Sequence, residues 1–193
     1  MELNDKKILL ASNSPRRKEL LAGLDVSFEV DTRNSFEETY DPAIPHERIP
    51  EVLSEGKSYG FHRELSENEI LITSDTLVLC CDRVMGKPHS REEAFEMLRF
   101  LSGREHKVIT AITIRDIHQC RTSSDTATVR FKELSDNEIW YYIDNYKPFD
   151  KAGAYGIQEW IGYIGIGQIE GSFFTIMGLP VHLIYKELLE FIA

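Results

Sequence analysis

Apolar and polar residues follow two rhythms along the chain, and the switches between them mark the elements. Residues 7–12, KILLAS, are a short apolar run that reads as a buried strand. Ser14 then offers a helix N-cap and Pro15 suits the first helical position, so RRKELLAGL continues as a helix that Gly23 stops. Residues 27–31 return to the strand rhythm, residues 32–45 are polar, acidic and irregular, and a helix is predicted over 50–62. EILITSDTLVLCC, residues 69–81, reads as a strand pair or one interrupted strand. Ser90 and Glu93 have capping-box spacing ahead of EEAFEMLRFLSG, with Gly103 as its stop. HKVITAITIRDI and TATVRFKEL are β-rich and pair as a hairpin. Ser135 and Glu138 open a second capped helix, DNEIWYYIDNY; a Gly-rich stretch follows over 151–178, and Pro180 starts a last amphipathic helix. Strands interleaved with helices predict an α/β fold with a mixed sheet. The flanks of the two capping boxes do not match, so they are no internal repeat, and no stretch reads as a linker.

Charge narrows the function. The 193 residues carry a formal net charge of −10, which repels polyanions, so broad binding to nucleic acid or to an anionic membrane is not expected. The length suits one domain, or two lobes sharing a core. Three cysteines, Cys80, Cys81 and Cys120, suit neither a disulfide framework nor a zinc site and indicate a reducing compartment. With no leader pattern in residues 1–17 and no apolar run of membrane-spanning length, the sequence reads as cytoplasmic. One of the thiols of Cys80–Cys81, on opposite faces of a strand, is expected in the core.

Four places break the pattern. Asp75 interrupts an apolar run, where a carboxylate is costly unless it is paired, hydrogen-bonded or metal-bound; alternatively it caps amides at a turn. Arg16, Arg17 and Lys18 sit at the start of a helix, where free N–H groups and the dipole favour an anion; alternatively they are solvated. Lys87 lies in the loop GKP between a strand and a capped helix, a lysine held toward a cleft or an ordinary turn. FDKAGAYGIQ, residues 149–158, suggests backbone close to a ligand, or a tight turn with a surface ion pair; Gln158 reads a base edge or faces solvent. The six histidines have no metal-site spacing.

LASNSPRRKELL, SDTLV, GKP, MLRFLSGREHKVITAI, DKAGAYGIQ and GSFFTIMGLP occur in the order and spacing of Maf proteins, so nearly the whole chain resembles that family of septum-formation-inhibitor-like nucleoside triphosphate pyrophosphatases. The resemblance implies a single domain over 1–193, with a mixed, elongated sheet flanked by helices and two lobes around a cleft, similar to inosine triphosphate pyrophosphatases. It implies hydrolysis of a nucleoside triphosphate to monophosphate and pyrophosphate with a divalent cation, Mg²⁺ or Mn²⁺, and a homodimer. By the same resemblance Asp75 is the catalytic proton acceptor and a metal ligand, and Glu37, chosen over Glu38, is the second carboxylate. Ser14, Arg16, Arg17, Lys57, Lys87 and Lys151 are substrate ligands. Thr76, Gln158 and Arg16 match the subgroup acting on dTTP and UTP, and the Gln amide suits the O4 and N3–H edge of a pyrimidine. Thr73-Ser74 replaces the family's Gly-Ala, which tightens a turn or adds a hydroxyl to the site, and SEGKSYGF departs from the family's lysine pattern. The alternatives are a nucleotide-binding regulator of septum formation with little catalysis, and a purine-clearing enzyme, against which Thr76 and Gln158 argue.

Overall fold

A computed structural model describes residues 5–192; residues 1–4, where the stretch read as lacking a leader begins, lie outside it. The chain opens with β1 (Lys7–Leu10), α1 (Pro15–Ala22) and β2 (Phe28–Val30). Ser14 caps α1 by accepting the Arg17 N–H at 3.4 Å, and Gly23 follows the helix, as the sequence predicts. After the irregular acidic segment comes α2 (Ile49–Tyr59), a turn shorter than predicted. Next come β3 (Glu69–Cys80), β4 (Arg83–Met85), α3 (Arg91–Leu101), β5 (Glu105–Arg115) and β6 (Cys120–Phe131). The chain ends in α4 (Asp136–Tyr146), α5 (Trp160–Gly165), β7 (Ile166–Glu170), α6 (Phe173–Met177) and α7 (Val181–Ile192).

Seven strands form one mixed sheet in the order β2-β1-β3-β5-β6-β7, with β4 paired to β3. β1 runs parallel to β2 and to β3, with Ile8 opposite Phe28 and Ile70. Parallel neighbours need crossovers, and α1 and α2 supply them. β4 and β7 add antiparallel partners. Cys81 and Asp82, both at positive φ, make the tight turn between β3 and β4, which leaves Cys80 buried and Cys81 exposed.

The described residues divide into two compact units. The first holds the residues up to Asp75, Thr110–Asp125 and those from Gly178 onward; the second holds Thr76–Ile109 and Thr126–Met177. Three of the four passages between them fall inside β3, β5 and β6, and the fourth follows α6 at Met177–Gly178. In the second unit Ala94, Met97, Leu98 and Leu101, spaced as one helical face, pack with Ile139, Tyr142 and Phe131. In the first, Leu9 and Leu71 pack with Phe61 and Leu65.

Two sequence expectations are corrected here. Residues 69–81 are neither a strand pair nor interrupted: β3 runs unbroken through Asp75. The carboxylate is tolerated mid-strand because it is paired, so no turn forms to cap it. Glu93 completes only half of a capping box. Its N–H reaches Ser90 Oγ at 3.0 Å, but its carboxylate accepts from His89 N at 2.7 Å. The box at Ser135 and Glu138 is complete.

Candidate active site

The first unit gathers charge around Asp75. This residue is 9% exposed, and its Oδ1 lies 2.6 Å from the Nζ of Lys57 on α2. The same ammonium lies 3.0 Å from Glu38 Oε1. Thus Glu38, rather than the expected Glu37, joins the ion pair, although both side chains are exposed.

Packing at α2 explains why the acidic loop presents Glu38. Phe36 lies against two glycines of SEGKSYG. A methyl group on Gly56 would sit 2.3 Å from Phe36 Cζ, and one on Gly60 would sit 2.5 Å from Phe36 Cβ, so neither position admits a side chain. Asn34 Nδ2 donates to the Lys57 carbonyl at 2.6 Å, and Ser35 N donates to the Gly60 carbonyl at 2.9 Å. The departure from the family's lysine pattern is therefore a seat for Phe36.

Arg17 bolts the backbone beside Asp75. Its Nε donates to the Gly178 carbonyl and its Nη1 to the Ser74 carbonyl, both at 2.8 Å. Close packing pulls the Arg17 guanidinium below the usual arginine value, and nearby Asp75 opposes that shift. Thr73 Oγ1 donates to the Ser54 carbonyl at 2.7 Å, and Ser74 Oγ to the Gly178 carbonyl at 3.2 Å. The Thr73-Ser74 hydroxyls thus tie β3 to α2 and to the segment before the last helix, and because β3 is unbroken there they tighten no turn. Ser14 Oγ is occupied as an acceptor by the α1 cap and still has its proton to donate. Arg16 is partly exposed on α1.

The second unit holds Thr76, Lys87, Lys151 and Gln158. Lys87 is exposed, in a loop tied down by the Gly153 N–H donating to the Gly86 carbonyl at 3.0 Å. Gly153 is at φ +69, and a methyl group there would meet the Val78 side chain at 3.2 Å, so another residue would be strained. Lys151 is not the surface pair the sequence allowed. Its side chain is 8% exposed and lies 2.7 Å from Asp150 and 3.1 Å from Glu159. Glu159 also accepts from Tyr142 Oη, whose proton is held by burial and by that carboxylate, both raising the phenol well above its usual range. The Tyr142 oxygen accepts the Gly156 N–H at 3.0 Å. Between Gly156 and Glu159, the Oε1 of Gln158 is buried without a hydrogen-bond partner among the described residues. An orphaned buried acceptor of this kind costs about 1–3 kcal/mol until a donor arrives. A separate cavity of about 500 Å³ beside Arg83, Arg99 and Arg104 is lined by none of the predicted site residues.

The family described as Maf-like protein matches residues 7–191. The chain belongs to the Maf-like family. A dTTP/UTP pyrophosphatase of Porphyromonas gingivalis is 48% identical over 191 residues, covering 98% of this chain and 96% of that protein. One of Phocaeicola vulgatus is 50% identical over 186 residues, covering 96% of each. Among solved structures, a HAM1 protein from Coxiella burnetii is similar at a TM-score of 0.41 and 13% identity, over 65% of this chain and 73% of that one. The structure brings Asp75 and Lys57 together in the first unit and places Lys87 and Gln158 in the second; Phe36, Tyr142 and Glu159 carry no functional signal in the sequence. Glu38 was half-visible as one of two adjacent acids. Glu159 and Tyr142 gave no signal, because neither the polarity of EW nor that of a helical Tyr is unusual.

Among the described residues, no group of three His, Cys, Asp or Glu side chains is placed to hold a metal ion. Asp75 and Glu38 nevertheless converge on one point charge. Two carboxylates suit a hard divalent cation whose remaining ligands are phosphate oxygens and water.

Proposed function

We propose that this Maf-like protein is an enzyme that hydrolyses dTTP and UTP, and modified pyrimidine nucleoside triphosphates of the same shape, to the monophosphate and pyrophosphate. The observation that carries this reading is the Asp75–Lys57–Glu38 constellation, a carboxylate held mid-strand at 9% exposure beside a lysine and a second acid. A fold has no structural need for a charge there, and burying one without a use is costly. The names of the relatives point the same way.

Asp75 accepts the proton of the attacking water. Lys57, with Arg16 at the N-terminus of α1, stabilises the charge that grows on the phosphate oxygens. Arg17 holds the backbone of β3 so that Asp75 keeps its position. Lys87 adds positive charge for the triphosphate. Asp75 with Glu38, rather than Glu37, would hold a divalent cation, Mg²⁺ or Mn²⁺, which when bound there would supply neutralisation of phosphate charge and a lower pKa for its bound water. The orphaned Gln158 oxygen accepts the N3–H of uracil or thymine, its amide donates to the neighbouring carbonyl, and Thr76 contributes to the same choice of base. The protein works in the cytoplasm on a free nucleotide, without nucleic acid or membrane, as a homodimer. Among the described residues no helix is long and apolar enough to cross a membrane.

A panel of nucleoside triphosphates assayed for pyrophosphate release, with Mg²⁺, Mn²⁺ or chelator, tests the proposal. Preferential turnover of UTP and dTTP that chelator abolishes is expected. Release of orthophosphate, or no turnover of any triphosphate, overturns it.

A further inference from the structure

Glu159 lies one residue beyond the stretch that carries the family pattern, and its side chain does not cap the helix it precedes. It folds back over its own turn instead. Oε1 lies 3.1 Å from Lys151 Nζ, and Oε2 accepts from Tyr142 Oη. The Tyr142 oxygen accepts the Gly156 N–H at 3.0 Å, and the Glu159 N–H closes the turn on the Gly156 carbonyl at 3.0 Å. A methyl group on Gly156 would meet Glu159 Cδ at 2.9 Å and Lys151 Cε at 3.1 Å, so the carboxylate and the lysine stem press on bare backbone. On the far side of the turn, the Ile157 carbonyl lies 1.8 Å from where a side chain on Gly162 would begin. The backbone on either side of Gln158 is therefore tightly packed, at Gly156 and at Ile157, while its buried Oε1 is unpartnered among the described residues.

We infer that Glu159 is a positioning residue for base selection, fixing the Gln158 amide through Tyr142 and Lys151; this rests on the reading of Gln158 under the proposed function. A carboxylate is needed because two donors of different kinds, a phenol and an ammonium, converge on it from different segments. Its two oxygens accept from both at once, whereas an amide would turn its NH₂ toward one of these donors. The same geometry gives Lys151 a different task from the one its sequence suggests. Its side chain is 8% exposed and is held at 3.1 Å by Glu159, whose other oxygen is tied to Tyr142, so it serves as a strut under the turn rather than as a phosphate ligand.

The test compares wild type with Glu159→Gln, Glu159→Asp and Tyr142→Phe. Steady-state kinetics with UTP and GTP, inhibition by inorganic tripolyphosphate, amide hydrogen exchange over residues 151–158 and thermal melting are measured for each. In Glu159→Gln, kcat/KM for UTP should fall about tenfold through KM, with kcat within about twofold, consistent with losing charge-assisted hydrogen bonds. The UTP-to-GTP preference should shrink, tripolyphosphate inhibition should be unchanged, and exchange over 151–158 should quicken while the melting temperature shifts by only a few degrees. Glu159→Asp should restore part of the preference, and Tyr142→Phe should move every readout in the direction of Glu159→Gln. An unchanged UTP-to-GTP ratio in Glu159→Gln, or equal weakening of UTP and tripolyphosphate, overturns the inference. If wild type turns over no triphosphate, it is the functional reading that fails. Unaltered exchange over 151–158 in Glu159→Gln would refute this hold on the turn whether or not the enzyme is active.

Discussion

Each unit contains a lysine between two carboxylates, and the two triplets are built for different work. Lys57 lies 2.6 Å from Asp75 and 3.0 Å from Glu38; Lys151 lies 2.7 Å from Asp150 and 3.1 Å from Glu159. The distances hardly differ. What surrounds the carboxylates does. In the first triplet Glu38 comes from an irregular loop and is 56% exposed, so one side of the pair can be exchanged for another ligand at little cost. In the second, Asp150 is as exposed as Glu38, at 55%, but Glu159 has its other oxygen taken by a buried tyrosine that also holds a backbone N–H. A network with every member satisfied is rigid and holds a loop. An exposed arm is common to both triplets, so it is the tie from Glu159 to the buried tyrosine that separates them. A lysine's role is therefore read from what its partners are attached to, not from its own contacts.

The largest expected effect breaks the first triplet. Asp75→Asn is nearly isosteric but neither takes a proton nor holds a cation well. Pyrophosphate release from UTP should fall by about 10²- to 10⁴-fold, with circular dichroism unchanged. Turnover near wild type would remove Asp75 from the chemistry.

Replacing each lysine by methionine sets the two triplets against each other. Lys57→Met should lower kcat/KM for UTP about a hundredfold, as charge facing the phosphates is lost. Lys151→Met should lower it several-fold at most and act mainly on stability, by about 2 kcal/mol in urea unfolding, because Glu159 is left with a buried, unpaired oxygen. Equal kinetic losses would erase the distinction.

Acid should separate the units as well. His106, in the second unit, is 2% exposed and burial pulls it down to about 4, while in an unfolded chain it titrates near 6.5. Its folded pKa is depressed, so the unfolded state binds the extra proton and stability falls as pH drops below about 6.5 toward 4. Between pH 7 and pH 5 the loss should be about 2 kcal/mol, and His106→Gln should flatten that slope. In the first unit Arg63 holds Glu69 down to about 2, so its contribution is present above about 4.5 and is lost only as pH falls from there toward 2. Urea unfolding across this range, read in wild type and in His106→Gln, measures the two limbs.

Smallest is Arg17→Lys. A lysine cannot reach the Gly178 and Ser74 carbonyls together as the guanidinium fork does, so stability should drop by about 1.5 kcal/mol and kcat by severalfold, without a change in metal dependence. A variant as stable and as active as wild type would show that the bolt behind Asp75 is dispensable.

What the sequence determined by itself lies close along the chain. The α1 cap at Ser14, the first-turn Pro15 and the capping box at Ser135 and Glu138 each join residues a few positions apart, so spacing alone predicts them. Asp75 was legible as an anomaly because hydrophobic pattern is local, and the order of motifs along nearly the whole chain gave the family. Whether β3 breaks at Asp75 was not legible, since the lysine that lets the strand continue stands 18 residues away on α2. Nor was the choice of Glu38 over Glu37, which depends on Phe36 seating against Gly56 and Gly60. The bolt from Arg17 spans 161 residues to Gly178, and Glu159 acquires its meaning from a tyrosine 17 residues back and a lysine eight residues back that face it only once the chain is folded. Periodicity records which face of an element is buried. Which distant donor will meet a given carboxylate is decided by packing, and only the tertiary structure carries it.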